Sequence, residues 1–320
     1  MARQYLDFEV PIKDIDAKIT ERKSLLIDSN SVNTDLTSLE KKRTKVISNI
    51  FSKLNRWQRV QLARHPDRPY SLDYINAWSP DFIELHGDRN YGDDEAVIAG
   101  IGKIDKIKVA IIGQQKGRNT KENIVRNFGM MRPEGYRKAL RIMKLAEKFN
   151  LPIITLIDTM GAYPGIGAEE RGQGEAIANN LLEMSKLKVP IISIVIGEGA
   201  SGGALGIGIC DRMLMLENTW YSVISPEGCA SILWHDTDKA KHAAEALKVI
   251  PIDLVELGIC ERIVQEPIGG AHDNPKQMFE ILKKIILEEL ESLNSIKKEE
   301  YFENRIKKYD KMGSFTRIHD

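Results

Sequence analysis

Gly197, Gly199, Gly202 and Gly203 stand close together in the stretch Val195 to Cys210, with Ala200 and Ser201 between them. Ahead of them, Pro190 to Ile196 is apolar and β-branched, the pattern of a buried strand. Behind them, Ala204 and Leu205 open a short apolar segment that suits a buried helix. A strand that turns into a helix through residues with almost no side chains leaves backbone N–H groups bare. The first N–H groups of a helix have no internal acceptor and lie at the positive end of its dipole. Such a peptide can hold a negatively charged oxygen with backbone alone. The same residues fit two other patterns. Gly197-x-Gly199-x-x-Gly202, with Glu217 further on, matches a dinucleotide fingerprint, and Gly199-x-Ser201-x-Gly203 matches the nucleophile elbow of a hydrolase. A fourth reading gives the glycines only the close packing of helix on strand.

Side chains that could do chemistry are sparse. None of the six histidines has a metal-ligand spacing to another His, Cys or carboxylate. Ser201 has no base near it in sequence. Asp158, at a strand end, could act as a base or cap the loop after it. Glu198 and Glu227, both beside glycines, could act as acids or could be surface or capping residues. Lys116, Arg118, Arg126 and Arg132 could receive phosphates or face solvent on a loop. An enzyme with this equipment would stabilise an enolate through backbone N–H groups and take its base from elsewhere.

The elements that must position these residues alternate. Residues 96–102 and 109–113 read as strands, Pro133 to Asn150 as a helix, and Pro152 to Asp158 as another buried strand. That strand ends in Thr159-Met160-Gly161-Ala162-Tyr163-Pro164-Gly165, and a helix follows from Glu169 to Lys186. Two strand–Gly loop–helix units in succession argue for α/β layers with parallel strands. Residues 221–225 read as a strand running into a turn and helix start at Pro226, residues 237–258 as helical, and 262–264 as a last short strand. Pro275 to Leu293 has the periodicity of an amphipathic helix. Residues 8–60 carry helical stripes: Ile12, Ile15 and Ile19 first, then Leu36, Leu39, Val46, Ile50, Leu54 and Trp57. Between the stripes is a polar break at 28–31, and Thr37-x-x-Glu40 has the form of a capping box. This division predicts an N-terminal helical arm over 1–60, a main domain over 61–294 and a charged tail over 295–320. The arm's apolar side must pack on its own core or on a partner subunit.

The chain has 320 residues, 46 Lys+Arg against 46 Asp+Glu and a formal net charge of +0, which gives no reason to expect nucleic acid or an anionic membrane as partner. It has no apolar run of membrane-spanning length and no apolar core of a signal peptide at its start. Cys210, Cys229 and Cys260 form neither a disulfide framework nor a zinc spacing. A cytoplasmic protein is the expectation.

One resemblance covers nearly the whole chain in matching order. The segments that carry it are Asn127-Phe128-Gly129-Met130, Pro133-Glu134-Gly135-Tyr136-Arg137-Lys138-Ala139, Asp158 to Gly165, Gly167 to Gln173, Ile196 to Ala204 and Ser222 to Trp234. Leu6-Asp7-Phe8-Glu9 and Gly269-Gly270-Ala271-His272 extend it to both ends. Together they resemble the α subunits of bacterial and plastid acetyl-CoA carboxylase carboxyltransferases. That family usually carries Pro where Met160 stands, Gly where Ala200 stands and His where Gln114 stands.

The resemblance implies an α/β, crotonase-like fold of repeated ββα units, with a helical arm before it and helices after it. It implies a β subunit as partner in an α2β2 assembly, with zinc in the β subunit and no metal in this chain. It also implies a biotin carboxyl carrier protein and, in the larger complex, biotin carboxylase. The reaction would move a carboxyl group from carboxybiotin on the carrier to acetyl-CoA, giving malonyl-CoA for fatty acid synthesis. Backbone at Gly202 and Gly203 would hold the biotin ureido oxygen, the β subunit would hold the acetyl-CoA enolate, and decarboxylated biotin would serve as base. Gly161, Ala162, Gly199, Ser201 and Ala204, with Lys116 and Arg118, are the expected substrate contacts. The competing expectations are a subunit acting on another acyl-CoA such as propionyl-CoA, a stand-alone crotonase-type hydratase or hydrolase using Glu198 or Ser201, and a scaffold whose glycines only pack.

Overall fold

Apolar β-branched runs form the centre of the molecule because both faces of its sheet are covered by helices. The computed structural model describes residues 3–26 and 34–313. Helices α1 (Val10–Leu26), α2 (Thr34–Phe51), α3 (Arg56–Ala63) and α4 (Ser71–Trp78) come first. Strands β1 (Ile83–Glu84), β2 (Val97–Ile104) and β3 (Ile107–Gln114) follow. Next are α5 (Thr120–Val125), α6 (Pro133–Lys148), β4 (Ile153–Thr159), α7 (Ile166–Glu170), α8 (Gln173–Lys186), β5 (Ile191–Ala200) and α9 (Ser201–Leu205). The order ends with β6 (Arg212–Leu216), β7 (Trp220–Ser222), α10 (Pro226–Trp234), α11 (Ala240–Leu247), α12 (Pro251–Glu256), β8 (Arg262–Val264), α13 (Pro275–Leu293) and α14 (Glu300–Asp310).

The eight strands make one sheet in the order β1-β2-β3-β4-β5-β6-β8, with β7 paired to β5. From β3 onward every pairing is parallel. The β1–β2 and β2–β3 pairings are antiparallel, so the sheet is mixed and not wholly parallel as the alternating pattern suggested. The hairpin arises because only Asp105 and Lys106 separate β2 from β3, too short a link for a crossover. The ββα unit is clearest in β2, β3 and α6. Strands β4 and β5 are each followed directly by helices, whereas β6 and β7 come in succession before α10.

Alternation along β5 assigns each face. Ile191 and Val195 join the core under α6 and α8, with Ala139, Ile142, Met143, Ala176 and Met184. Ile192, Ile194 and Ile196 join the opposite core under α4 and α13, with Tyr74, Trp78, Met278, Leu282 and Ile286. The Thr155 and Ser193 hydroxyls, fully buried on adjacent strands, satisfy each other at 2.8 Å.

Some local expectations change. Thr37 lies inside α2, so its Thr-x-x-Glu pattern is not a cap, and the polar break at 28–31 lies outside the described residues. The helix expected from Glu169 is broken at Gly172, which takes φ 80°. Residues 237–258 divide into α11 and α12 after a short 3-10 turn, because Lys248 adopts φ 51° and Pro251 starts a new helix. The arm packs on itself: α1 lies against α2 with Ile12, Ile15, Ile19 and Ile47 buried. Ile47 was absent from the predicted stripe. Arg43 of α2 ties the arm to the main body by hydrogen bonds to both Asp16 and Asp273.

The charged tail is docked through α14. Arg305 is 1 % exposed and bonds Asp211 with Nε at 2.8 Å and Nη2 at 2.9 Å. It also donates to the carbonyls of Met184, Leu187 and Val189 around the end of α8. Removing one partner of a buried ion pair leaves the other charge uncompensated and costs about 3–5 kcal/mol. Arg305→Ala is therefore expected to destabilise the fold by about that amount, read from urea midpoints at unchanged m-value.

Candidate active site

Parallel strands present their carboxyl ends together, and ligands of open α/β sheets bind there. Here the ends of β3, β4 and β5 bring Gln114 to Lys116, Asp158 to Ala162 and Glu198 to Gly203 into one region. Strand β5 continues through Gly197 and Gly199 to Ala200, so these two glycines are strand residues and not a turn. The strand passes into α9 with no intervening loop, and the reversal falls on Ser201 at φ 56°. The Gly202 and Gly203 N–H groups open α9, and neither meets a protein acceptor among the described residues.

Close approach explains Gly203. A Cβ there would stand 2.2 Å from the Gly161 carbonyl carbon and 2.6 Å from the Ala162 nitrogen. The loop after β4 and the first turn of α9 thus touch backbone to backbone. Gly202 is roomier, with the Ile177 Cδ1 at 3.4 Å as nearest neighbour. At Gly197 the obstacle is the Asp158 carboxylate, 2.4 Å from where a Cβ would lie.

Beside these loops is an ion network. Lys116 Nζ donates to Asp158 Oδ1 at 2.7 Å and to Glu198 Oε2 at 2.8 Å. Arg64, from the end of α3, donates to Glu198 Oε1 at 2.6 Å and to both Glu227 oxygens, at 2.5 and 3.1 Å. Asp158 Oδ1 also accepts the Glu198 N–H at 3.0 Å. Burial alone would lower the Lys116 pKa, but the Asp158 and Glu198 carboxylates outweigh it and raise it above the ordinary lysine value. Burial likewise pushes Glu198 up, and Lys116 and Arg64 more than reverse that. Glu198 is therefore a buried, paired anion and neither a surface residue nor a free acid. Asp158 is paired within the core and does not cap the following loop. Glu227 sits in the first turn of α10 and is claimed by Arg64.

Lys116 and Arg118, singled out for phosphates, both have partners already. Arg118 donates to the Pro66 and Arg68 carbonyls and to Asp73, with its guanidinium 3.9 Å above the Tyr70 ring. Arg64 and Tyr70 were missed, because nothing in their local sequence marks them. An open cleft of ≈ 630 Å³ is lined by Arg64, Tyr70, Lys116, Phe128, Met160, Glu198 and Glu227 among others. Its wall excludes Gly202 and Gly203 but includes Met160, next to Gly161, and Glu198, near the end of β5 between Gly197 and Gly199. The Ser201 hydroxyl is exposed and no imidazole or carboxylate bonds it among the described residues, so the elbow geometry lacks its base.

Folding also gathers Glu9, His65 and His272, whose candidate ligand atoms lie within 4.8 Å of one another. They come from three distant parts of the chain, which no spacing rule detects. The two imidazoles stack with centroids 3.9 Å apart and planes inclined by 21°, so their nitrogens run side by side and do not converge on one point. Arg3 adds a guanidinium 3.9 Å from Glu9. The arrangement suits a clasp holding the N-terminal segment better than an ion cage. The Asp67 N–H donates to His65 Nδ1 at 3.1 Å, which leaves the His65 proton on Nε2, facing Glu9 at 3.8 Å.

The fold defines a class before any family. It is the crotonase-like fold of carboxyltransferases. A transcarboxylase 12S chain aligns at TM-score 0.53 and 17% identity over 67% of this chain and 41% of that one. A chain of a Pseudomonas malonate decarboxylase hetero-tetramer, solved with coenzyme A, aligns at TM-score 0.59 and 14% identity over 73% and 91%. Sequence comparison is more specific. The family model described as acetyl co-enzyme A carboxylase carboxyltransferase-like matches residues 5–313. The acetyl-coenzyme A carboxylase carboxyl transferase subunit alpha of Chlorobium luteolum is 52% identical over 96% of both chains. That of Xanthomonas oryzae pv. oryzae is 56% identical over 98% of this chain and 99% of its own. The chain belongs to the acetyl-CoA carboxylase carboxyltransferase family, among its alpha subunits.

Two outcomes test the site's construction. Overpacking a tight contact costs about 1–3 kcal/mol. Gly203→Ala should lose at least that much stability, whereas Gly202→Ala should stay within about 1 kcal/mol of the parent. Equal effects at the two positions would remove the backbone contact as the reason for Gly203. The clasp predicts a pH dependence. Burial, with His272 beside it, pushes His65 from its ordinary 6.5 down to about 4. Between those values the unfolded chain binds a proton that the folded chain does not, so stability falls as pH falls through this window. Melting temperatures between pH 7 and 4 should decline less steeply in His65→Asn than in the parent. Parallel declines would take His65 out of the acid response.

Proposed function

We propose that this chain is the alpha half of a split carboxyltransferase that carboxylates acetyl-CoA to malonyl-CoA, with carboxybiotin on a carrier protein as donor. The observation that carries this reading is the pair of unpartnered N–H groups at Gly202 and Gly203, in a site whose titratable side chains are committed to one another. Those N–H groups hold the ureido oxygen of biotin, where negative charge develops when the carboxyl group leaves. Preorganised donors of this kind need no reorganisation at the moment of reaction. Gly161 and Ala162 shape the same wall by direct contact, and Gly199, Ser201 and Ala204 frame it. Lys116 and Arg118 serve as structural cations: Lys116 neutralises Asp158 and Glu198 beside the loops, and Arg118 braces the segment 66–73. Carboxybiotin supplies the transferable carboxyl group and, after its loss, a basic nitrogen.

A β subunit supplies the second oxyanion site, for the thioester enolate of acetyl-CoA. An α2β2 assembly, served by a biotin carboxyl carrier protein and a biotin carboxylase, completes the reading, with zinc in the β subunit. Exposed apolar residues, Met160 in the cleft wall and Val223, Ile232 and Leu233 on the segment and helix that carry the cleft residues Ser225 and Glu227, support a covering partner. No helix among the described residues is long and apolar enough to cross a membrane. The hydrolase reading loses support because no base bonds Ser201 among the described residues and Glu198 is held in two ion pairs.

The test is reconstitution. Alone, the chain should move no carboxyl group between malonyl-CoA and biotin; mixed with a carboxyltransferase β subunit it should do so. Ser201→Ala in the assembled complex should keep most of that turnover. Robust transfer by the isolated chain, or complete loss on Ser201→Ala with assembly intact, would overturn the split-site reading.

A further inference from the structure

The last residue of β3, Gln114, is fully buried, and its side-chain amide joins the end of β4 to the first turn of α9. Its Nε2 donates to the Gly203 carbonyl at 2.7 Å, and its Oε1 accepts the Asp158 N–H at 3.0 Å. Helix α9 leaves that carbonyl to it. The Gly206 N–H goes to Gly202, the Ile207 N–H to Ala204 and the Gly208 N–H to Leu205, so Gly203 is passed over. A buried carbonyl without a partner is rare, and here the partner comes from a neighbouring strand. The other end of the amide holds the residue whose carboxylate anchors Lys116 and the Glu198 N–H. One side chain thus spans the place where Gly203 meets the Gly161–Ala162 peptide.

We propose that Gln114 is a positioning residue for carboxyl transfer, setting the direction of the Gly202 and Gly203 N–H groups through its bond to the Gly203 carbonyl. This rests on the reading that those N–H groups hold the reacting oxygen. Rotation of the Gly203–Ala204 peptide swings that carbonyl, and the preceding N–H groups turn with the first turn of α9. A fixed acceptor and a fixed donor on one rigid amide stop the rotation. Misplacing reacting groups by about 1 Å costs on the order of a hundredfold in rate. An amide also does this at every pH. A neutral imidazole could offer one donor and one acceptor, but on protonation it would have two donors and would lose the Asp158 N–H.

The experiment uses the chain assembled with a carboxyltransferase β subunit. Gln114→Leu, of similar size, should lower kcat about tenfold to a hundredfold while the KM for malonyl-CoA changes less than about twofold. Gln114→His should keep most of the parent's kcat at pH 8. It should also acquire an acid limb, at or below the ordinary imidazole value of about 6.5, that the parent lacks. An unchanged kcat in Gln114→Leu, with or without a lower melting temperature, overturns the proposal, as does a loss confined to KM. A Gln114→His complex without the new acid limb, or one that fails to assemble, overturns it too, because the neutral ring satisfies both bonds. A parent complex that transfers nothing refutes the proposed function itself, whereas an active parent with indifferent Gln114 variants refutes only the role of Gln114.

Discussion

Two backbones touching without side chains between them is the constraint on which the rest of this site depends. Gly203 lies so close to the Gly161–Ala162 peptide that a single Cβ cannot be accommodated. The contact fixes the start of α9 against the loop after β4. Under the proposed function it gives the glycine pair two tasks at once, because the packing that demands Gly203 also aims the neighbouring N–H groups. A short five-residue helix has little dipole to offer. Under the proposed function the donors would draw their value from rigidity and from having no competing acceptor among the described residues.

Charge is arranged around that contact so that none of it is free. Asp158 and Glu198 are buried, and two like carboxylates so close together would be costly without Lys116 and Arg64. The network ties the ends of β4 and β5 together where the ladder between them shifts between Ile157 and Thr159. A site of this kind has acids and bases in plain view of the sequence and none available for proton transfer. That fits a reaction whose base arrives with the substrate.

The ends of the chain are secured by the same logic at greater distance. Arg43 and the Glu9–His65–His272 clasp hold the N-terminal arm, and Arg305 holds α14. His65 precedes Pro66 and Arg68, and Arg68 donates to the Ile196 carbonyl and to Glu266, so the clasp lies only a few residues from strand β5. The arm therefore stiffens the side of the sheet that carries the Gly loops.

Periodicity alone determined most of the elements. β-branched runs located β2 to β5, proline and apolar spacing located α6 and α13, and small residues located the loop after β4, whereas the glycines expected to form a turn after Ile196 lie in β5 and α9. These are local signals, set by steric preference and by which face must be dry. The family could be read as well, because its motifs are runs of adjacent residues. What the tertiary structure decided is everything that depends on distance across the chain. Whether Glu198 is an acid or half of an ion pair depends on Arg64, which lies in another element. Lys116 looked like a phosphate ligand until Asp158 arrived beside it. The metal-like trio and the Arg305 latch combine residues far apart in the sequence. The role of Gln114 was equally hidden, since a buried amide acquires meaning only from the carbonyl and the N–H that folding brings to its two ends. Hydrogen bonds and ion pairs are short-ranged and directional, so a one-dimensional pattern cannot hold them.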